Sequence, residues 1–384
     1  MNILIEGWRG INHSYALVNQ LQILELIKTE ELYFKDIPFF SKKWDTNKNF
    51  SGLDKKKSDI INEIPITNDK QTFDITYRIS YPFNFNNYHN SKLLYIYATT
   101  EYKYLNKTSY INNSIELLNT EEKIFIHTPS QWSKKGFVNA GLREDQVVVI
   151  PSGVDIDLFK KISDEEKKLI KKKYQIKDDE FILTNIGAMT QNKGVDVLIV
   201  AYGILKKKYK NLKLILKDQS NLYDIKPDYL FEKIKSSGFN DKYKIINEEM
   251  MKDIKIISDN INLYEIRDLY SITDCYVSPY LAEGFNLTPL EAAACGTQIV
   301  VTKGGSTDDY FDSCLGYQIE SNEKKIDNSY LLEPKIDSLI QILEETILNN
   351  SDKLKNDRSK FVHQNYSWTK VVSKLKEEFK DKLK

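Results

Sequence analysis

Residues Ser278 to Gly296 read SPYLAEGFNLTPLEAAACG and place two carboxylates, Glu283 and Glu291, eight positions apart. The apolar run before this stretch, residues 274–279, predicts a buried strand, and the small-residue run that Gly296 closes predicts a helix. The order is therefore strand, loop, helix. We expect Glu283 on the loop at the carboxyl end of the strand, where open α/β sheets bind their ligands.

The start of the predicted helix carries capping signals. Thr288 is a suitable N-cap, Pro289 suits the first helical position, and Glu291 falls three residues after the cap. The backbone N–H groups of such a start attract an anion. A structural alternative stays open at this point, because Glu291 also fits a capping box with Thr288, and Glu283 also fits a solvated loop acid.

Composition narrows the class of protein. The 384 residues suffice for two or three domains with substantial cores, and the 29% of charged residues balance to zero net charge, which argues against a dedicated nucleic-acid binder. The three cysteines and four histidines show no metal-ligand spacing. No apolar run is long enough for a membrane helix, and MNILIEGWRG lacks the pattern of a signal peptide, so we expect a cytoplasmic protein, free or peripheral at the membrane.

The chain opens like a nucleotide-binding fold. Residues 2–6 predict a strand, residues 7–14 a turn, and a helix follows to about Lys28. The loop GWRGIN lacks the G-x-G-x-x-G fingerprint of dinucleotide binding. Gly7 and Gly10 either let the backbone approach a phosphate or sugar closely or only make a tight turn.

Alternating strands and helices continue through both halves of the chain, with a short link near Pro151. Two such halves imply two Rossmann-like α/β domains that face a cleft. In the second half, GAMTQNKG from Gly187 to Gly194 precedes an apolar helix, and Lys193 at that helix start is placed to meet a diphosphate. Strands are predicted at 73–79, 93–98, 123–127, 181–186, 212–217, 243–246, 254–257 and 298–302.

The sequence EGFNLTPLE from Glu283 to Glu291, followed by an Ala-rich run and Cys295-Gly296-Thr297, resembles the E-x7-E signature of glycosyltransferase family 4. Members of this family are retaining sugar transferases of the GT-B fold. Further stretches that resemble the family are Asn12-His13-Ser14, Arg78-x-x-Tyr81-Pro82 with Glu101, Pro151-Ser152-Gly153-Val154-Asp155, Lys193-Gly194 and Gly304-Gly305. Two positions depart from the family pattern: Ala188 stands where an arginine is usual, and Asn286 where a second glycine is usual.

The resemblance implies an architecture of three segments. Residues 1–152 form an N-terminal Rossmann-like domain on the acceptor side, and residues 153–364 form the C-terminal domain that binds the donor. Residues 365–384 form a terminal helix that packs back on the first domain, and its apolar stripe agrees with this expectation: Trp368, Val371, Val372, Leu375 and Phe379.

The resemblance also implies roles for single residues. Glu291 accepts hydrogen bonds from the donor ribose, Glu283 holds a hydroxyl of the donor sugar, and Lys193 neutralises the leaving diphosphate. Further donor contacts are implied for Gly10, Gly284, Phe285, Asn286 and Leu287, acceptor-side roles for His13, Arg78 and Glu101, and a catalytic role for Glu101 with Glu283 and Lys193. For Arg78 and Glu101 a surface charge remains the alternative.

The expected activity is therefore retaining transfer of a sugar from a nucleotide diphosphate sugar to a hydroxyl of a glycan, glycolipid or other acceptor. We expect no metal cofactor, because the acidic pairs Asp178-Asp179 and Asp308-Asp309 lie in polar segments rather than in an Asp-x-Asp at a strand end. Two alternatives remain open: a nucleotide-sugar epimerase of the same fold, and a non-catalytic partner that binds the donor only. Release of nucleotide that depends on acceptor distinguishes the transferase from both.

Overall fold

A computed structural model of the chain describes residues 1–42, 44, 50–68, 71–86, 90–111, 115–236, 245–349 and 352–384. The chain forms two compact units: unit 1 contains Met1–Asp155 and Tyr366–Lys384, and unit 2 contains Ile156–Asn365. The chain thus leaves unit 1 after Asp155, three residues later than the predicted boundary, and re-enters it at Tyr366.

The centre of unit 1 is a parallel sheet with the strand order β2-β1-β3-β5-β7-β8. Most of its strands are rich in buried apolar residues, because helices of an α/β unit cover both faces of such a sheet. A second, two-stranded parallel sheet pairs β4 with β6. The strands are β1 (Asn2–Gly7), β2 (Glu31–Asp36), β3 (Thr72–Ile79), β4 (Phe83–Asn84), β5 (Asn90–Tyr97), β6 (Tyr110–Ile111), β7 (Ile124–Thr128) and β8 (Val147–Val149).

Helices of unit 1 include the last helix of the chain, whose apolar stripe shares one buried core with β1, β3 and α1. Trp368 and Phe379 are buried in this core, and the Cβ that Gly153 lacks would lie 2.7 Å from the Trp368 ring. The stripe therefore packs on unit 1. The helices are α1 (Ser14–Leu26), α2 (Lys55–Asn62), α3 (Ile115–Thr120), α4 (Gln131–Asn139) and, at the end of the chain, α14 (Trp368–Leu383).

Unit 2 contains a second parallel sheet, with the order β11-β10-β9-β12-β13-β14. This is the doubly wound order 3-2-1-4-5-6, whose switch point lies between the first and fourth strands, here β9 and β12. An antiparallel ribbon, β15 with β16, follows the sheet. The strands are β9 (Phe181–Ile186), β10 (Leu212–Lys217), β11 (Ile254–Ile257), β12 (Cys275–Ser278), β13 (Gln298–Thr302), β14 (Gly316–Ile319), β15 (Ser321–Ile326) and β16 (Ser329–Pro334).

The core of unit 2 lies between this sheet and helices such as α6, whose Leu198, Ile199 and Tyr202 are fully buried. The helices are α5 (Asp164–Lys173), α6 (Val195–Lys206), α7 (Ser220–Tyr223), α8 (Asp228–Lys235), α9 (Glu248–Lys252), α10 (Leu263–Ile272), α11 (Leu287–Ala294), α12 (Ile336–Leu348) and α13 (Lys355–Tyr366).

Most predicted strands coincide with observed ones to within a few residues. The strand predicted at 243–246 does not: residues 243 and 244 lie outside the described residues, and Ile245 and Ile246 belong to no strand. The opening helix ends at Leu26 rather than near Lys28.

Candidate active site

Two loops meet at the switch point of unit 2. One follows β9 and leads through a 3₁₀ turn, Gln191–Lys193, into α6, and the other follows β12 and leads into α11. Asn192 joins them: its carbonyl oxygen accepts from the N–H groups of Leu281 and Ala282 at 2.7 and 3.2 Å, and its side-chain amide donates to the Ala282 carbonyl at 3.1 Å. These hydrogen bonds hold side by side two loops whose contacting residues, Asn192 and Ala282, are 90 positions apart in the sequence.

Gly194 permits this close approach. It has a φ of 63° and is the N-cap of α6. A Cβ at this position would lie 2.0 Å from the Pro279 carbonyl oxygen, far inside van der Waals contact. Only glycine fits both the left-handed conformation and the contact, so the Lys-Gly pair of the sequence has a packing reason as well as a chemical one.

Lys193 and Glu283 form an ion pair between the two loops, with Lys193 Nζ on Glu283 Oε1. The Lys193 side chain is 26% exposed and the Glu283 side chain 8%. Lys193 lies in the 3₁₀ turn just before α6 rather than in the first turn of that helix. The sequence singled out both residues but did not predict their pairing, since nothing in the local pattern links positions so far apart.

The start of α11 differs from the predicted one. Its N-cap is Asn286, with a left-handed backbone (φ 65°), and not Thr288. Asn286 donates its side-chain amide to Ser278 Oγ at 2.9 Å and gives no side-chain cap, while Thr288 Oγ1 accepts from the Tyr276 hydroxyl at 2.7 Å. The N–H groups before the first helical hydrogen bond are those of Leu287 and Thr288, since Pro289 has none, and the Asn286 side chain does not cap them; such N–H groups at a helix start favour an anion.

Glu291 does not complete a capping box, so the structural alternative for this residue is wrong. Its Oε2 accepts from the Tyr270 hydroxyl at 3.0 Å, and the residue is 9% exposed. Burial, together with the nearby negative charge of Glu291, raises the pKa of Tyr270 well above its ordinary value. Tyr270 therefore remains a hydrogen-bond donor and orients the carboxylate.

Gly284, Phe285 and Leu287 connect the two glutamates. Phe285 is buried, and its ring lies 5.3 Å from that of Tyr310, whose hydroxyl donates to the Asn286 carbonyl at 2.8 Å. Tyr310 thus fixes the loop from the other side. The sequence analysis did not single out Tyr310, which lies in a polar segment and bears no motif.

No described set of three or more His, Cys, Asp or Glu side chains is grouped so as to hold a metal ion. Within the same residues, no helix combines the length and the apolar character that crossing a membrane requires.

Residues 166–367, more than half of the chain, match the family model described as "Glycosyl transferases group 1". The chain belongs to this family. It is a glycosyltransferase, and the family match contains the whole site in unit 2, from the Lys193 turn to α11.

Curated relatives of this group 1 glycosyltransferase are distant. It is 23% identical over 299 residues to the lipopolysaccharide 1,2-N-acetylglucosaminetransferase of Salmonella typhimurium, over 76% of this chain and 71% of the relative. An uncharacterized glycosyltransferase of Methanocaldococcus jannaschii is 23% identical over 264 residues, and the match spans 68% of this chain and 60% of the relative. The capsular polysaccharide biosynthesis glycosyltransferase CapM of Staphylococcus aureus is 26% identical over 218 residues, 55% of this chain and 51% of the relative.

Solved structures show the same fold over nearly the whole group 1 chain. The Anabaena protein Alr3699/HepE in complex with UDP and glucose superposes with a TM-score of 0.68 at 14% identity, covering 99% of this chain and 100% of that one. WaaG, a glycosyltransferase involved in lipopolysaccharide biosynthesis, gives a TM-score of 0.61 at 12% identity, covering 97% and 98%. The predicted fold class, GT-B with two Rossmann-like units, is confirmed.

In unit 1 of this glycosyltransferase, Gly10 and His13 lie on the loop between β1 and α1. Gly10 has a φ of 73°, and its N–H donates to Gln20 Oε1 at 3.0 Å, so this amide is occupied by the protein. His13 is the N-cap of α1, with Nδ1 accepting from the Tyr15 N–H at 3.1 Å. Burial lowers the pKa of His13 to about 4, which keeps the imidazole neutral at neutral pH.

Arg78 lies near the end of β3 and is buried. Rather than facing solvent, its side chain is 2% exposed, and its Nε donates to Glu6 Oε2 at 2.6 Å. Its Nη1 donates to the Asn84 and Asn86 carbonyl oxygens. Because a buried guanidinium needs such partners, Arg78 is held by the fold of unit 1, and the surface-charge alternative is wrong, while its acceptor-side role stays a prediction.

Glu101 lies in the turn after β5 and is partly exposed. Its carbonyl oxygen accepts from the Trp132 indole at 2.6 Å, which anchors the turn to α4. The acceptor-side and catalytic roles of Glu101 stay predictions, as does the acceptor-side role of His13.

Proposed function

We propose that this glycosyltransferase is a retaining, metal-independent enzyme of glycosyltransferase family 4. It transfers a sugar from a nucleotide diphosphate sugar to an acceptor hydroxyl in glycan or polysaccharide biosynthesis. The observation that carries the proposal is the Lys193–Glu283 pair at the switch point of unit 2, beside the uncapped start of α11.

This arrangement suits the chemistry of a leaving diphosphate. Negative charge grows on the diphosphate as the glycosidic bond breaks, and preorganised donors stabilise it most effectively where water is excluded. The Lys193 ammonium is one such donor, and the first amides of α11 are others. They supply positive potential without a metal ion, so we propose that activity does not require one.

The two glutamates take separate roles in this proposal. Glu283, held by Lys193, accepts from a hydroxyl of the donor sugar. Glu291, oriented by Tyr270, accepts from the ribose hydroxyls. Because Glu283 is paired with Lys193, contact with the sugar and stabilisation of the diphosphate are linked.

Related solved structures support a uridine nucleotide as the first donor to test. Alr3699/HepE has been solved with UDP-glucose at a TM-score of 0.67 and 14% identity to this chain. The named relatives act in lipopolysaccharide and capsule biosynthesis, which supports a glycan acceptor. We further propose that the enzyme is cytoplasmic, without a nucleic-acid partner, and contacts membranes only at their surface. Recovery in a membrane pellet that resists salt and alkali would contradict this location.

The test begins with a thermal-shift screen of common nucleotide sugars, since a ligand that binds the folded state raises its melting temperature. The donor that stabilises the protein is then incubated with candidate acceptors, with and without chelator. We expect nucleotide release that depends on acceptor, persists in chelator, and gives a product with the donor's anomeric configuration by NMR. Release without acceptor would favour the epimerase, inversion would exclude the retaining mechanism, and loss of activity in chelator with recovery on adding manganese would overturn metal independence.

A further inference from the structure

Lys217 is a buried lysine without a described counter-ion. It is the last residue of β10 and is 6% exposed. Its ammonium donates to the carbonyl oxygen of Asp218, and no carboxylate of the described residues lies within 4.0 Å of it. The Asp218 carboxylate is engaged elsewhere, by the Ser220 N–H at 2.8 Å and by the Ser258 hydroxyl.

A second buried lysine in the same unit, Lys206, is paired with a carboxylate, as buried lysines usually are. Lys206, at the end of α6, is 3% exposed, and its ammonium lies 2.5 Å from Asp253 Oδ2 and 2.9 Å from the Leu212 carbonyl oxygen. Buried charges in proteins are paired in this way because desolvation otherwise disfavours the charged form. At Lys217 that desolvation lowers the pKa, and the charges of Asp218 and Asp259 offset it only in part.

The position of Lys217 in the sheet indicates what kind of ligand would pair with its ammonium group. β10 is the neighbour of β9, with Lys217 opposite Ile186, and the Lys217 carbonyl oxygen accepts from the Gly187 N–H at 3.0 Å. Gly187 begins the loop that ends in Lys193. The space beside Gly187 is open, since a Cβ built there would have no heavy atom within 4 Å. Lys217 thus ends β10 at the carboxyl edge of the sheet, where open α/β sheets bind ligands, and its backbone is hydrogen-bonded to the start of the loop that carries Lys193.

We propose that Lys217 binds the diphosphate of the donor and supplies the second cation that the sequence lacks at Ala188. Ala188 is buried one residue after Gly187, on the loop whose start is hydrogen-bonded to Lys217. The diphosphate completes the ion pair of Lys217 just as Asp253 completes that of Lys206. This inference rests on the proposed function for the identity of the anion.

The test compares Lys217→Met with Lys206→Met. Calorimetry gives the Kd of the nucleoside diphosphate that stabilises the wild type most, and ligand-observed NMR gives the Kd of its nucleoside. A hydrogen bond to a charged group contributes about 1.5–3 kcal/mol, so Lys217→Met should raise the Kd of the nucleoside diphosphate about tenfold or more. The Kd of the nucleoside should not change. Lys217→Met should melt no lower than the wild type, while Lys206→Met should melt about 5 °C or more lower and bind the diphosphate normally.

Each outcome decides a separate question. Equal diphosphate affinity in the wild type and Lys217→Met overturns the role of Lys217 and leaves the proposed function intact. If Lys217→Met loses diphosphate affinity as predicted but the wild type transfers no sugar, the role of Lys217 is supported and the proposed transferase function is overturned. If Lys217→Met raises the Kd of the nucleoside as much as that of the nucleoside diphosphate, the substitution has changed the site in general, and the role of Lys217 is overturned. A wild type that binds no nucleoside diphosphate overturns both.

Discussion

Lys193→Ala tests whether the Lys193–Glu283 pair serves catalysis or only folding. The substitution leaves the Glu283 carboxylate, 8% exposed, without its cation. Breaking a buried pair costs about 3–5 kcal/mol, and an exposed pair contributes about 0.2–1 kcal/mol. Because Lys193 is 26% exposed, we expect a loss of about 2 kcal/mol, or about 4–8 °C in melting temperature for a unit of about 200 residues.

Turnover should fall much further. Losing one donor that stabilises developing charge reduces kcat by about a hundredfold or more, equivalent to about 2.7 kcal/mol in the transition state. Steady-state kinetics at saturating donor measures this loss, and a melting curve measures stability beside it. The double variant Lys193→Ala/Glu283→Gln removes the stranded carboxylate charge, so we expect its melting temperature to recover while its turnover does not.

Lys213→Ala is the matched control. Lys213 is 27% exposed and pairs with Asp253 and Glu180 near the start of β10, at the opposite edge of the same sheet. It should lose similar stability and keep its turnover. If Lys193→Ala reduces turnover less than about threefold, or no more than Lys213→Ala does, the pair is structural and the assigned catalytic role is wrong.

Three further perturbations test the geometry. Gly194→Ala should lower both the melting temperature and kcat, because its Cβ collides with the Pro279 carbonyl; a variant with wild-type melting and turnover would contradict the need for close contact. Asn286→Val should melt lower than Asn286→Gly, since a β-branched residue is strained at φ 65°, and equal melting curves would argue against that strain. Burial lowers the pKa of His127 from 6.5 to about 4, so below pH 6.5 the unfolded chain takes up a proton that the folded protein refuses. Urea unfolding should therefore show a loss of about 2 kcal/mol from this residue between pH 7 and 5, absent in His127→Gln.

Local signals predicted the regular elements well. The strands at 181–186, 212–217 and 254–257 were predicted with the bounds observed, since short runs rich in apolar residues mark a strand whether it is buried throughout, as β9 is, or partly exposed, as β11 is. Ser130 is the N-cap of α4, its side chain accepting from the Ser133 N–H, which is the position that serine prefers at a helix start. These features can be predicted from the sequence alone because they depend on residues that are close together in the chain.

Contacts between distant residues were not predictable in the same way. Glu6 and Arg78 are 72 positions apart, and only the parallel pairing of β1 with β3 brings them together. The Thr288 cap failed for a related reason. Thr288 satisfies the local pattern, but the hydroxyl of Tyr276 on β12 binds its side chain, and the left-handed residue Asn286 ends the loop two positions earlier. Tertiary partners outcompeted a local preference that is only about 1 kcal/mol strong.

The two departures from the family pattern have different physical meanings. Asn286 replaces a glycine at a left-handed position, which asparagine tolerates better than most residues, so the backbone of the loop is kept and its side chain gains a bond to Ser278. Ala188 replaces an arginine, and no backbone preference compensates for a lost charge. In the proposed role of Lys217, the compensating cation comes from the neighbouring strand, where this lysine is buried and has no ion-pair partner among the described residues. Asn286 thus keeps the conformation of its own loop, whereas in the proposed role the charge lost at Ala188 is supplied by Lys217, at the same edge of the sheet.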